Sequence, residues 1–276
     1  MIPKIIHNIW IQGYNNLPEK IIVAHNNIKK LNPEWEFIVW DESMIIEILK
    51  KYPKIYNVYK NIQNLSGAIN INAIKSDIAR YIIMKEYGGL YFDIDFECVS
   101  SFDNLFDKNN TIYIASSKID ILNYIYPFSK PEYCSCFMAF EKEHPIWDKV
   151  IDIILKATTK YQIGSALDIS LQNSKNYEII VLNQINGPYK CKDSNTICFT
   201  PGESSWNFIR PYLQIINCYH IQIILFILVF VIIFVIDRIN YHNALSFGSI
   251  PIIPGLPKVQ LHLNLQDNKK KQKNKK

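Results

Sequence analysis

Residues 75–97 read KSDIARYIIMKEYGGLYFDIDFE, and most of what the chain can be follows from them. Ile71, Ile74, Ile78, Tyr81 and Ile82 recur at helical spacing and predict a helix over 71–86. Gly88-Gly89 ends it, and the apolar run LYFDIDF that follows predicts a strand carrying two aspartates. Asp77 and Arg80, three apart, share a helix face. On the strand, Tyr91, Asp93 and Asp95 alternate and share a face, with the two aspartates roughly 6.6 Å apart. Two carboxylates on one side of an apolar strand are costly unless a cation or hydrogen-bond donors meet them. A divalent ion answers that cost. Hard oxygen ligands suit Mg²⁺ or Mn²⁺, which keep coordination positions for phosphate oxygens. The segment therefore predicts a metal–diphosphate site at a strand end, where open α/β sheets bind ligands.

Working outward, residues 3–12 predict a first strand closed by Gly13, and Pro18 opens a helix that Asn32-Pro33 ends. Residues 35–40 predict a second strand, after which Asp41 caps a helix through Lys51. Further strands are expected at 111–116 and 135–140 and a helix at 145–157, followed by a loop-rich stretch. Strand and helix alternating at this spacing indicate an α/β fold with a mainly parallel central sheet.

The 276 residues are 49% hydrophobic and 20% charged, which excludes wholesale disorder. The net charge of +5 comes from the six lysines of residues 269–276, so the remainder is near neutral and lacks the overall basic character of a nucleic-acid binder. Six cysteines are too few for a disulfide scaffold of this size, and a structural or free-thiol role is expected for them. Cys134 and Cys136 form only a CxC, a weak metal signal, and a bridge between Cys191 and Cys198 would close a short polar loop in an oxidising compartment. Residues 218–236, CYHIQIILFILVFVIIFVI, predict a transmembrane helix of about 28 Å, near the bilayer core of about 30 Å. The expected organisation is a catalytic domain over 1–212, this single-pass helix, and an irregular tail over 237–276. No secretory signal is visible, which leaves the catalytic domain cytosolic by default.

A phosphatase that uses Asp93 as nucleophile is a rival chemistry for an isolated DxD. Glu97 stands where such enzymes carry Thr or Val, and the motif follows about ninety residues of α/β chain instead of sitting on its first strand. The blocks IPKIIHNIWIQG at 2–13, with LP at 17–18, and KSDIARYIIMKEYGGLYFDID at 75–95 resemble glycosyltransferase family 32, over roughly residues 1–210. That family of DxD-containing sugar transferases includes yeast-type mannosyltransferases, the glycosylating subunits of inositol-phosphoceramide mannosyltransferases and capsular polysaccharide enzymes. Its site plan is shared by clostridial toxin glucosyltransferases. NGP at 186–188 resembles its later Gly-Pro loop more weakly.

The resemblance implies a GT-A fold and a retaining transfer of a hexose from a GDP- or UDP-sugar. It implies Mn²⁺ or Mg²⁺ as cofactor and a membrane-associated glycan, lipid or protein acceptor. Position by position, Trp10 would stack on the nucleotide base. Asp77 and Arg80 would hold the donor sugar hydroxyls and the diphosphate, and Tyr91 would line the donor pocket. Asp93 would contact ribose and metal, and Asp95 would ligate the metal directly. His7, beside Trp10, would support the donor site. Ser205 and Trp206 would close over the diphosphate. Here the chain departs from the family, since ESSW at 203–206 lacks the preceding histidine-containing stretch. That departure supports an alternative: a catalytically inactive, membrane-anchored scaffold binding nucleotide-sugar or glycan on the same fold. The catalytic domain is luminal in the family's eukaryotic members.

Overall fold

The structure, a computed structural model, describes residues 1–67, 69–116, 132–174, 176–186, 194–200 and 210–246. Ser205, Trp206, Gly187, Pro188 and Cys191 lie outside these. In the first compact unit, Met1–Ile221, the sheet strands are β1 (Ile5–Ile9), β2 (Glu36–Trp40), β3 (Gly89–Phe92), β5 (Thr111–Ser116), β6 (Tyr133–Phe140) and β7 (Glu178–Val181). They run in the order β2-β1-β3-β6-β5-β7. β6 pairs antiparallel with both β3 and β5, and the other pairings are parallel, so the expected mainly parallel sheet is observed. A small second sheet joins β4 (Glu97–Cys98), β9 (Cys198–Phe199) and β8 (Ile185–Asn186).

Side-chain alternation along the strands creates two apolar cores, one on each face of the main sheet. Leu90 and Phe92 of β3 pack with Phe96, Phe102 and Phe137, and with Ile28 of α1 (Glu19–Leu31). Tyr91 points the other way, into the core built by α2 (Glu42–Leu49), α3 (Pro53–Lys60), α4 (Ile71–Tyr87), α5 (Ile146–Lys156), α6 (Lys160–Gly164) and α7 (Ala166–Gln172). The short helices α6 and α7 fall where the sequence suggested mainly loop. The capping box of Thr159 and Gln162 starts α6. Asp41 caps α2 as expected, its Oδ1 accepting from the Met44 amide at 2.9 Å.

Two expectations change. LYFDIDF is not one strand: β3 stops at Phe92, and residues 93–96 form a turn closed by the Phe96 amide on the Asp93 carbonyl at 3.1 Å. Asp93 and Asp95 therefore sit on a turn at the strand's end and do not alternate along its face. The cysteines pair differently too. Cys198 is bridged to Cys98, its neighbour across the β4–β9 pairing, which excludes the Cys191–Cys198 bridge. Cys134 and Cys136 are bridged to each other and are neither free nor a metal site.

α8 (Arg210–Ser246) continues ten residues beyond Ile236, where an irregular tail was expected. Within it, Ile221–Asn240 has mean hydropathy 2.7 and is long and apolar enough to cross a membrane.

Candidate active site

The sequence spacing of Arg80 and Asp93 becomes a contact because α4 folds back on β3 at Gly88-Gly89. From Tyr87 back to Arg80 is about 10 Å of helix, and from Gly89 on to Asp93 about 13 Å of strand, so the two groups come level. The reversal needs both glycines. Gly88 has φ +64° and Gly89 φ +91°, and a Cβ on Gly89 would lie 2.5 Å from the Ile5 carbonyl oxygen. His7 secures the turn. Its Nε2 donates to the Gly88 carbonyl at 3.0 Å, while Trp40 Nε1 donates to its Nδ1 at 3.1 Å. These bonds tie His7 to the turn that starts β3, opposite Tyr91 in the β1–β3 register. Burial pushes its pKa down to about 4, with the Gly88 bond opposing.

Arg80 is the hub. Its Nη2 lies 3.1 Å from Asp77 Oδ1 and 3.2 Å from Asp93 Oδ1. Its Nη1 donates to the Ser135 carbonyl at 3.1 Å and to the Ser135 hydroxyl at 3.2 Å. The guanidinium also lies over the Tyr91 ring, 4.9 Å from its centroid. Burial works against its charge, but Asp93, Tyr91 and Asp77 outweigh burial and hold it protonated. Arg80 Nε is buried and has no hydrogen-bond partner among the described residues.

The two carboxylates differ. Asp77 is enclosed: burial pushes its pKa up to about 6, with Arg80 opposing and Asp93 adding to the rise. A Cβ on Gly164 would stand 3.2 Å from its Oδ2. Asp93 is 35% exposed and accepts from the Tyr91 hydroxyl at 2.9 Å, and its amide donates to the Cys136 carbonyl at 2.9 Å. Burial first, then Asp93, drives the Tyr91 hydroxyl well above its ordinary pKa, so Tyr91 stays a donor.

Trp10 follows β1 directly, and β1 pairs parallel with β3 through His7↔Tyr91. Carrying that register forward brings Trp10 beside the Asp93 turn. Asn8 ties the two strand ends, its Nδ2 donating to the Phe92 carbonyl at 2.8 Å. Trp10 is half-buried, outside both cores, and its Nε1 finds no partner among the described residues.

The structure thus brings together Asp77, Arg80, Tyr91 and Asp93, with Asp95 on the same turn and Trp10 at the adjacent strand end. Ser135, Cys136 and Gly164 join them without having been anticipated. The only sequence signal they carried was the unusual Cys-Ser-Cys inside a strand. Asp93 and Asp95 offer hard oxygen donors on a turn, which suits Mg²⁺ or Mn²⁺ completing its shell with diphosphate oxygens. Among the described residues no group of three His, Cys, Asp or Glu gathers as a self-sufficient metal cage.

Residues 18–112 match the family described as "Glycosyltransferase sugar-binding region containing DXD motif". The chain is 28% identical over 243 residues to an uncharacterized glycosyltransferase of Acanthamoeba polyphaga mimivirus, covering 78% of this chain and 86% of that protein. It is 36% identical over 105 residues to inositol phosphoceramide mannosyltransferase 3 of Schizosaccharomyces pombe, covering 38% of this chain and 27% of that one. The chain thus spans little more than a quarter of that yeast relative's length. Among solved structures, the PaToxG glycosyltransferase is similar at 23% identity and TM-score 0.43, over 60% of this chain and 69% of that one. Residues 18–112, which hold Asp77, Arg80, Tyr91, Asp93 and Asp95, are thus the part of the chain similar to the DXD-containing glycosyltransferases.

Proposed function

We propose that this chain, whose residues 18–112 match the DXD-containing glycosyltransferases, is a metal-dependent, retaining hexosyltransferase. Its donor is a GDP- or UDP-hexose and its acceptor a membrane-associated glycan, lipid or protein. The observation that carries the reading is the Asp77–Arg80–Asp93 cluster at the carboxyl end of β3, next to Trp10. In this assignment Trp10 stacks on the base. Asp77 and Arg80 hold the donor hexose and diphosphate. The buried, unpartnered Arg80 Nε is a ready donor to an anion. Tyr91 keeps Asp93 oriented toward ribose and metal, and Asp95 is the direct metal ligand. A divalent ion held by Asp93 and Asp95 would supply Lewis-acid stabilisation of charge on the departing diphosphate. In the transfer, an acceptor hydroxyl bonds to the anomeric carbon on the face the diphosphate leaves. The carbon–oxygen bond to the diphosphate breaks, and the hydroxyl proton goes to the departing diphosphate oxygen. Ser205 and Trp206 complete this assignment as the segment closing over the diphosphate.

The organisation that goes with this reading is a catalytic domain over 1–212 and a single membrane crossing over 218–236. The apolar run of α8 supports the crossing. The Cys98–Cys198 and Cys134–Cys136 bridges favour an oxidising, luminal location for the domain.

The test is sugar release from a panel of UDP- and GDP-hexoses with Mn²⁺ or Mg²⁺, run on the full chain in detergent and on Asp95→Ala. Release of one sugar that needs both the metal and Asp95 supports the transferase. Metal-dependent nucleotide binding without release, with or without acceptor lipids, favours the inactive scaffold.

A further inference from the structure

The register between β5 and β6 jumps from Ile114↔Met138 to Ala115↔Cys134. Residues 135–137 are therefore surplus to the pairing and form a bulge, a device that re-aims side chains at strand ends. The bulge is stapled. Cys134 and Cys136 are bridged with their Cα atoms 5.1 Å apart, and the Cys136 amide donates to Cys134 Sγ at 3.3 Å. Between them, Ser135 gives both its carbonyl and its hydroxyl to Arg80 Nη1. The next residue, Cys136, takes the Asp93 amide. One small covalently closed loop thus touches the arginine through Ser135 and the Asp93 turn through Cys136.

The geometry of this loop has a chemical consequence. A guanidinium is planar, and Nη2 is already shared by Asp77 and Asp93. Fixing Nη1 as well leaves the plane no freedom to turn about the Nη2 contacts. We propose that Ser135, locked in the Cys134–Cys136 bulge, is a positioning residue for the transfer: it sets the plane of Arg80, while Cys136 sets the first residue of the Asp93 turn. The proposal rests on the reading of Arg80 and Asp93 as donor-binding groups.

The test uses the full chain in detergent, with Ser135→Ala, Ser135→Thr, the double variant Cys134→Ser/Cys136→Ser, and Asp95→Ala as reference. Three quantities are measured: the thermal midpoint, the affinity for UDP and GDP with Mn²⁺, and kcat and KM across the UDP- and GDP-hexose panel. Ser135→Ala is expected to lower kcat/KM and nucleotide affinity about tenfold, the scale of one lost bond to a charged group. The double cysteine variant should do at least as much, and Ser135→Thr should recover most of the loss while the midpoints of the two Ser135 variants stay close. Unchanged affinity and kcat/KM in Ser135→Ala, in a chain whose activity still needs Asp95, sinks the positioning role and leaves the transferase standing. So does a loss that merely follows the midpoint and that threonine does not rescue. A wild-type chain that neither binds UDP or GDP nor releases sugar removes the donor-site reading and this proposal together. If the double cysteine variant does not fold, Ser135→Ala and Ser135→Thr decide alone.

Discussion

Arg80 Nη2 stands 3.2 Å from Asp93 Oδ1, joining the middle of α4 to the turn that follows β3. The same nitrogen is 3.1 Å from Asp77 Oδ1. One buried cation thus holds a deeply enclosed carboxylate and a half-open one in fixed relation. If the cluster binds a donor diphosphate, its charge balance serves both folding and function.

Removing that cation should hurt both. Arg80→Ala leaves Asp77 buried without its counter-charge and is expected to cost about 3 kcal/mol, at the lower end for a broken buried pair because Asp93 is partly exposed. Arg80→Lys keeps the charge but cannot reach Ser135 and both carboxylates in one plane. It should recover most of the thermal midpoint and little of the UDP or GDP affinity. A lysine variant binding like the wild type would contradict the planar-fork argument.

Stability should rise with pH between about 5 and 7. His7 and His25 are buried, and burial pushes each down to about 4, aided at His25 by Lys29. The unfolded chain protonates near 6.5, so it binds more protons than the folded chain as pH falls. Each histidine then costs about 2 kcal/mol between pH 7 and 5. Asp77, pushed up to about 6, has the opposite sign. Its folded form binds the extra proton, which offsets about 1 kcal/mol over the same interval. His25, whose ring nitrogens have no partner among the described residues, can be replaced without stranding a bond. His25→Phe should therefore flatten the thermal midpoint against pH by roughly two thirds. An unchanged slope would place the titration elsewhere.

The two glycine turns give a paired test. Gly89→Ala meets the Ile5 carbonyl oxygen at 2.5 Å in a backbone held at φ +91°, and is expected to cost at least about 3 kcal/mol. Gly13 has a similar φ, +86°, with nothing within 4 Å of a Cβ, so Gly13→Ala should cost about 2 kcal/mol of backbone strain and no steric clash. Thermal midpoints of the two variants measure the difference. Equal losses would mean the close approach of β1 to β3 is not the constraint.

The side of the membrane can be read from carbohydrate. Asn64 and Asn109 begin Asn-X-Ser/Thr sequons and are both exposed. If the disulfide-bearing domain is luminal, expression in a eukaryotic secretory host should yield a chain whose gel mobility rises on endoglycosidase treatment. Asn64→Gln and Asn109→Gln should each remove one step. No shift, together with free thiols at Cys98 and Cys198, would place the domain in the cytosol.

Much of the fold could be read directly from residue order. Pro18, Asp41 and Gly88-Gly89 mark element boundaries through local backbone chemistry, and α1, α2, α4 and β3 begin or end beside them. The helical stripe before Gly88 and the aspartates after it also name four of the clustered residues, because a helix folding back on its following strand has fixed rises per residue. The limits are equally physical. Whether Asp93 lies on a strand or on a turn depends on where β6 stops pairing with β3, a contact made by residues far along the chain. The same holds for Ser135, which reaches Arg80 only because a stapled bulge turns it there, and for Cys98, which meets Cys198 across 100 residues of separation. Local propensity and spacing set the elements and the residue types of the site. The three-dimensional pairing alone set which groups share a proton, a bond or a charge, because those energies depend on distance in space.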